Sequence, residues 1–292
     1  MTIETLSLLS IKVSLFAVVV SIGMTSTWRE ATWLLRSPGL LARSVLSMQL
    51  LVPLIAVLLA TRLPLAPGVK IAIVLLSLSP VPPVMPGKAI KVGGNQPFAV
   101  SLLAVSGVLA IAIIPASLRI LNDLTTFTLG IAPTVVAKLV ATSILIPLVV
   151  GLIISSFALE FGRRASPIIG KIGMACLLLG IIPLIVKMLP AMRALTGDGS
   201  LAVCAVLCLA AMLIGHLLGG PDPGDRTVLA LSSSMRHPAI AIALANANFS
   251  QEPLAVPAIL LYTIVALAVR LPYTKLSVRR QAEYVARGEA YR

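Results

Sequence analysis

The run Leu231–Ala245, LSSSMRHPAIAIALA, sets Arg236 and His237 side by side between three serines and Pro238, inside an otherwise apolar segment. A guanidinium is always charged and carries five donors in a planar fork that matches a carboxylate. At the middle of a bilayer it costs about 2.5–3.5 kcal/mol on insertion scales, so such a residue usually faces a cavity or a partner. Pro238 suits the first position of a helix, where the unpaired amides of residues 238–241 add positive potential. A second stretch, SPVPPVMPGKAIKVGGN at residues 79–95, repeats the pattern, with Pro86 as a helix start followed by Gly87, Lys88 and Lys91. One chemistry that fits is anion binding. A substrate carboxylate would pair with Arg236, flanked by His237, Ser234 and Ser233 from one stretch and by Pro86, Gly87 and Lys88 from the other. The competing role is structural: Arg236 caps the carbonyls of a neighbouring half-helix and binds no ligand. Lys88 and Lys91 equally suit a cytoplasmic membrane edge.

These residues sit in a chain that is 58% hydrophobic and 11% charged, with a mean hydropathy of +1.04. A soluble domain carries roughly 25% charged residues, so the expected fold is an all-α polytopic membrane protein. Ten apolar segments can be marked, at about 6–27, 40–60, 67–80, 81–94, 97–119, 131–157, 166–189, 200–219, 225–247 and 254–273. The N-terminus has Glu4 where a signal peptide would be basic, and it reads as the first retained span. The net charge of +13 fits basic residues gathered in cytoplasmic loops better than a nucleic-acid partner. Cys204 and Cys208 share a helix face without nearby His or acid partners, so they read as packing residues.

Ten spans put both termini on one side. With that side cytoplasmic, 15 basic residues lie inside against 7 outside, so both termini are expected in the cytoplasm of a bacterial inner (plasma) membrane. The proline-rich fourth segment and the ninth are each the fourth of a set of five. Interrupted spans at matching positions of two halves point to an inverted-repeat transporter whose site lies where the breaks meet. The expected division is residues 1–130 and 131–273 for the two repeats, with 274–292 as a basic cytoplasmic tail.

All ten carboxylates fall in expected loops, helix ends or the tail. That argues against intramembrane acid relays and against Ser–His–acid hydrolysis, so no enzyme activity is expected.

The chain resembles the bile acid:sodium symporter superfamily over nearly its full length. The resemblance rests on LFAVVVSIGMT followed by LLRSP, on QLLVPL, on SP leading into a span that ends VGGN, and on SSSMRHPAIAIALA. It implies ten spans in two inverted five-span repeats, a panel of spans 1, 2, 6 and 7, a core of the other six with crossing fourth and ninth spans, and transport of an organic anion coupled to sodium. The family's sodium ligands carry over poorly. Its ninth-span carboxylate falls at Ser232, its glutamine at Arg236 and its asparagine at His237, while Met235 agrees. The fourth-span pair falls at Met85 and Pro86, and the fifth-span hydroxyls at Ala99 and Leu103. Ser232 and Met235 are therefore the candidate sodium contacts, and Arg236 stands where a cation ligand is expected.

The expected function is secondary transport of a small or amphipathic organic anion, with sodium coupling in doubt. The alternatives are an ordinary sodium symporter using backbone and serine oxygens, or a non-transporting membrane sensor or scaffold of the same fold. Sodium is the sole cofactor in question, the bilayer and the anion are the expected partners, and a homodimer is compatible with the chain.

Overall fold

The computed structural model describes residues 3–124, 131–197 and 199–286. Among them there is no strand, and seven helices are long and apolar enough to cross a membrane, with two shorter apolar helices besides. The elements are α1 (Ile3–Met24), α2 (Pro38–Arg62), α3 (Pro67–Leu78), α4 (Met85–Lys91), α5 (Gln96–Leu124), α6 (Pro133–Phe157), α7 (Leu159–Ala194), α8 (Ser200–Leu218), α9 (Pro223–Ser234), α10 (Pro238–Asn248) and α11 (Ala255–Ala286).

The sequence reading needs correction at the third and fourth segments. Segments 67–80 and 81–94 are the arms of one interrupted helix. α3 has 12 residues and α4 has 7, about 18 and 10 Å of rise, and neither alone covers a hydrocarbon core of about 30 Å. The break holds Pro80, Pro82 and Pro83, whose missing N–H groups end α3. The same pattern in sequence looks like a loop between two spans. α9 and α10 form the second interrupted helix, broken at Met235–His237. The described residues thus make nine helical units. The expected tail also begins later, because α11 runs on through residue 286; residues 287–292 and the boundary at residue 130 lie outside the described residues.

An odd number of units changes where the ends lie. Ser10 donates to the Cys176 carbonyl and Ser166 to that of Ser21, both at 2.7 Å, so α1 and α7 run antiparallel. The far end of α1 meets the start of α5, where Gln96 donates to the Thr25 carbonyl at 3.3 Å. Just before α5, Gly93 lies against Gln281 near the end of α11. The described beginning of α1 and end of α11 therefore occupy opposite ends of the bundle, against the expectation that both termini share one side. Gly224 at the start of α9 packs on Gly93 and Asn95, whereas Gly68 at the start of α3 packs on Leu254 and Ala255. α3 and α9 thus enter from opposite ends and run toward each other.

α2 and α6 each carry a π-helical turn, Leu46–Leu51 and Ala141–Leu145, followed shortly by Pro53 and Pro147. In α2 the Val52 N–H reaches back to the Ser47 carbonyl, five residues away, and Pro53 has no N–H. Neither residue serves the carbonyl of Met48, which is left facing the core. One buried apolar cluster surrounds the middle of α3 with α8, α10 and α11, including Cys204 and Cys208; another joins α5 to α2 and α9.

Candidate functional site

The site is built where the two interrupted helices meet. The His237 N–H donates to the Pro80 carbonyl at 3.0 Å, tying one break to the other. The Val81 N–H reaches Ser106 Oγ of α5 at 3.4 Å, which anchors the first break to its neighbour. A helix of this length ends in carbonyls without partners and a partial negative charge of about −0.5. Those of α3 and α9 lie within the bundle and need donors.

Arg236 supplies them for α3. It is 3% exposed; one terminal nitrogen donates to the Ser79 carbonyl at 3.2 Å and the other to the Met48 carbonyl. Ser79 is the C-cap of α3, and Met48 is the carbonyl left over by the π-turn and Pro53. The guanidinium therefore meets a helix C-terminus and an orphan carbonyl. Two of its five N–H groups thus serve backbone oxygen, as in the capping role weighed against anion binding. α4, the supposed second N-terminus, is a helix of seven residues.

The serines divide in the same way. Ser234 Oγ donates back to Ala230 and Leu231 carbonyls at 3.0 and 3.1 Å, so it is committed to its own helix. Ser233 Oγ pairs with Ser47 Oγ of α2 at 2.7 Å. Ser232 Oγ is buried without a hydrogen-bond partner, as are Arg236 Nε and both ring nitrogens of His237, which is 1% exposed. Pro86 is buried, Lys88 is exposed, and a Cβ added at Gly87 would meet nothing within 4 Å.

The Ser47–Ser233 pair gives a direct prediction. Removing one hydroxyl from a buried pair costs about 1–3 kcal/mol, whereas removing both costs less than the sum. Ser47→Ala and Ser233→Ala are each expected to lower the melting temperature, with the double variant close to either single one. Additive losses would show that the two hydroxyls act separately.

Arg270 of α11 is a participant that the sequence analysis did not single out. It is 5% exposed, and it donates to the Ser234 carbonyl at 3.4 Å, a carbonyl that also accepts from Tyr262 Oη at 3.4 Å. The ends of both inner arms, α3 and α9, are therefore served by arginines. An arginine in the apolar run 254–273 was the signal in the sequence. It passed as topology charge because it lies late in the span. His216 sits in the last turn of α8, 2.8 Å from Tyr273 Oη.

A sodium ion fits these residues poorly. It needs several oxygen ligands, preferably with a formal negative charge. The Ser79 and Met48 carbonyls already serve a guanidinium, and Met85, Ala99 and Leu103 are buried and apolar. Of the two candidate sodium contacts, Ser232 Oγ is left without a partner, and Met235 offers thioether sulfur and a carbonyl. No group of three or more His, Cys, Asp or Glu that could hold a metal occurs among the described residues.

A comparison with curated proteins finds no match. Residues 12–192 match the sodium bile acid symporter family, a stretch that holds the first interrupted helix, its break and the π-turn carbonyl on which Arg236 rests. That match covers more than half of an all-helical, membrane-embedded chain, and the protein belongs to the sodium bile acid symporter family.

Proposed function

We propose that the chain is a secondary carrier of a small or amphipathic organic anion, and that it works without sodium. The observation that carries this reading is the seat of Arg236. Unwound carbonyls and half-helix C-termini are where transporters of this kind hold exchangeable cations. Here a covalently attached guanidinium sits on those oxygens, so positive charge is present throughout the cycle and no ion need enter or leave.

The architecture we infer is nine spans rather than ten. α1 to α5 and α7 to α11 form two inverted four-span repeats, and α6 stands outside them. α3 and α9 support the pairing, since each is 12 residues long and each opens with Pro-Gly, Pro67-Gly68 and Pro223-Gly224. α1, α6 and α7 would form the panel against which the broken helices rock. The bundle end that holds Arg29, Arg36, Lys91, Arg163, Arg226, Lys275, Arg279 and Arg280 is richer in positive charge than the end near Arg62, Lys70, Arg119, Lys138, Lys187 and Arg193. The positive-inside rule then puts the C-terminus in the cytoplasm and the N-terminus outside.

Proteoliposomes test the function. Counterflow of radiolabelled carboxylates from acetate to octanoate is expected to be saturable for at least one of them, at equal rates in sodium and in choline. Uptake that requires a sodium gradient would overturn the uncoupled reading, and absence of flux for every organic anion tried would overturn the carrier reading.

A further inference from the structure

Between Glu4 and Arg29 the chain carries one charge, Lys12, and that lysine is exposed on α1. Its depth follows from the contact of α1 with α7. Ser10 donates to the Cys176 carbonyl, and Cys176 lies midway between Arg164 and Lys187, about 18 and 16 Å from them along α7. Lys171 of α7 is about 10 Å from Arg164 and can snorkel to the headgroups. Lys12, two residues from Ser10, lies too deep for that.

The face of α1 that bears Lys12 also bears Val19, seven residues on. Val19 is fully buried, in the cluster that holds Phe98 and Leu102 of α5 and Leu148 and Leu152 of α6. One face of α1 is thus sealed at Val19 and open at Lys12. α5 changes in the same way: Ala104 packs against that cluster, whereas Val108 and Ala112, one and two turns further, are exposed. The two openings are level. α1 runs parallel to α6, with Gly23 against Leu148 and Leu152 and Trp28 against Ser156, which sets Lys12 near Val140. Val140 in turn packs on Gly107 of α5. Beyond the seal, Gln96 ties the start of α5 to the Thr25 carbonyl and to Glu30, each at 3.3 Å. α1 and α5 therefore meet at that end and part toward the beginning of α1, with α6 behind them. Ionisable side chains at such depth usually face a water-filled cavity. α5 is uncharged up to Leu118, and α6 holds Lys138 alone. Lys138, two residues from Val140, is on the side of α6 away from α5.

We propose that α1, α5 and α6 wall a water-filled crevice open at the beginning of α1, and that Lys12, the charge in its wall, makes it selective for anions over cations. Calling the crevice the path of the cargo rests on the carrier reading; the crevice and its charge preference do not.

Cysteine labelling of the full-length chain in liposomes tests it, with charged, membrane-impermeant methanethiosulfonates on both sides of the bilayer. Lys12→Cys and Ala112→Cys are expected to incorporate the anionic sulfonatoethyl reagent well above wild type, whose own cysteines are Cys176, Cys204 and Cys208. Val19→Cys, at the seal, and Val13→Cys, on another face of α1, are expected to stay at the wild-type level. Ala112→Cys keeps Lys12 and reports its field. It is expected to react at least fivefold faster with the anionic reagent than with the cationic trimethylammonioethyl one, relative to a free thiol, and Lys12→Met is expected to erase that preference. Unreactive Lys12→Cys or Ala112→Cys would overturn the crevice, as would Val13→Cys reacting as fast as Lys12→Cys. A preference that survives Lys12→Met would overturn the role of Lys12. Labelling as expected without flux of any organic anion would support the crevice and count against the carrier.

Discussion

Wild-type protein is expected to melt at the same temperature in sodium and choline buffers, and Arg236→Gln to melt lower and to become sodium-sensitive. The first half follows from occupancy. The oxygens that a cation would use at this crossing, Ser79 and Met48, already accept from the guanidinium. The second half follows from what glutamine leaves behind: two backbone carbonyls and its own amide oxygen in a site that has lost its positive charge.

The magnitude comes from two opposed effects. Each hydrogen bond to a charged group contributes about 1.5–3 kcal/mol, and a buried carbonyl left unpaired costs about 1–3 kcal/mol. Removing the guanidinium also removes the cost of burying it, several kcal/mol. The balance is a loss of roughly 3 kcal/mol, or roughly 6–12 °C in melting temperature for a chain of this size. If the variant binds sodium with a Kd of about 10 mM, 100 mM sodium restores about 1.4 kcal/mol. Arg236→Lys is expected not to rescue, because one ammonium cannot reproduce a planar fork reaching two carbonyls on different helices. Stabilisation of wild type by sodium over choline would remove the basis for the uncoupled mechanism.

Much of this arrangement was legible in the sequence. The two interruptions and the arginine at the second break could be read from residue types and spacing. The partners of Arg236 could not. Met48 lies 188 residues away, and its carbonyl is available only because α2 slips into a π-turn just before Pro53. The number of spans was misread for a related reason. Pro80, Pro82 and Pro83 have the composition of a loop, and only the shortness of α3 and α4 reveals that they interrupt a single crossing. Arg270 was hidden differently. Charge counting assigns a late basic residue to a membrane edge, whereas packing against Ser234 draws this one inward. What the sequence lacks in each case is a backbone partner, since carbonyls carry no side-chain signature.

The same distinction separates the two arginines from the two lysines of α4. Arg236 and Arg270 end helices, so their loss is expected to appear first in stability. Lys88 is exposed and has no described side-chain hydrogen bond, so its loss is expected to leave melting nearly unchanged. In the proposed carrier, replacing exchangeable cations with fixed ones gives up a driving force but keeps the electrostatics that hold two broken helices together.

Gly151→Ala is expected to disable the protein through the contact of α1 with α6. A Cβ at position 151 would lie 2.4 Å from the Val20 carbonyl oxygen and 2.7 Å from the Gly23 Cα, and one at Gly23 would lie 2.7 Å from the Leu148 carbonyl oxygen. α1 and α6 thus touch backbone to backbone, the approach that small residues permit between membrane helices. Overpacking a core usually costs 1–3 kcal/mol because flexible side chains move aside. Here the atoms struck are main chain, so the helices themselves must separate, and a cost of roughly 3 kcal/mol or more is expected. No second substitution on α1 should rescue it, since no side chain there is in the way. α1 also packs along α7, so the displacement carries through the surface against which the broken helices would move, and uptake should fall with stability. Gly87→Ala is the matched control: its Cβ enters open space, and alanine is favoured over glycine within a helix by about 0.5–1 kcal/mol. A Gly151→Ala protein that melts within about 2 °C of wild type and keeps its uptake would mean that α1 and α6 can part freely, and the panel could not then serve as the fixed side of an alternating-access cycle.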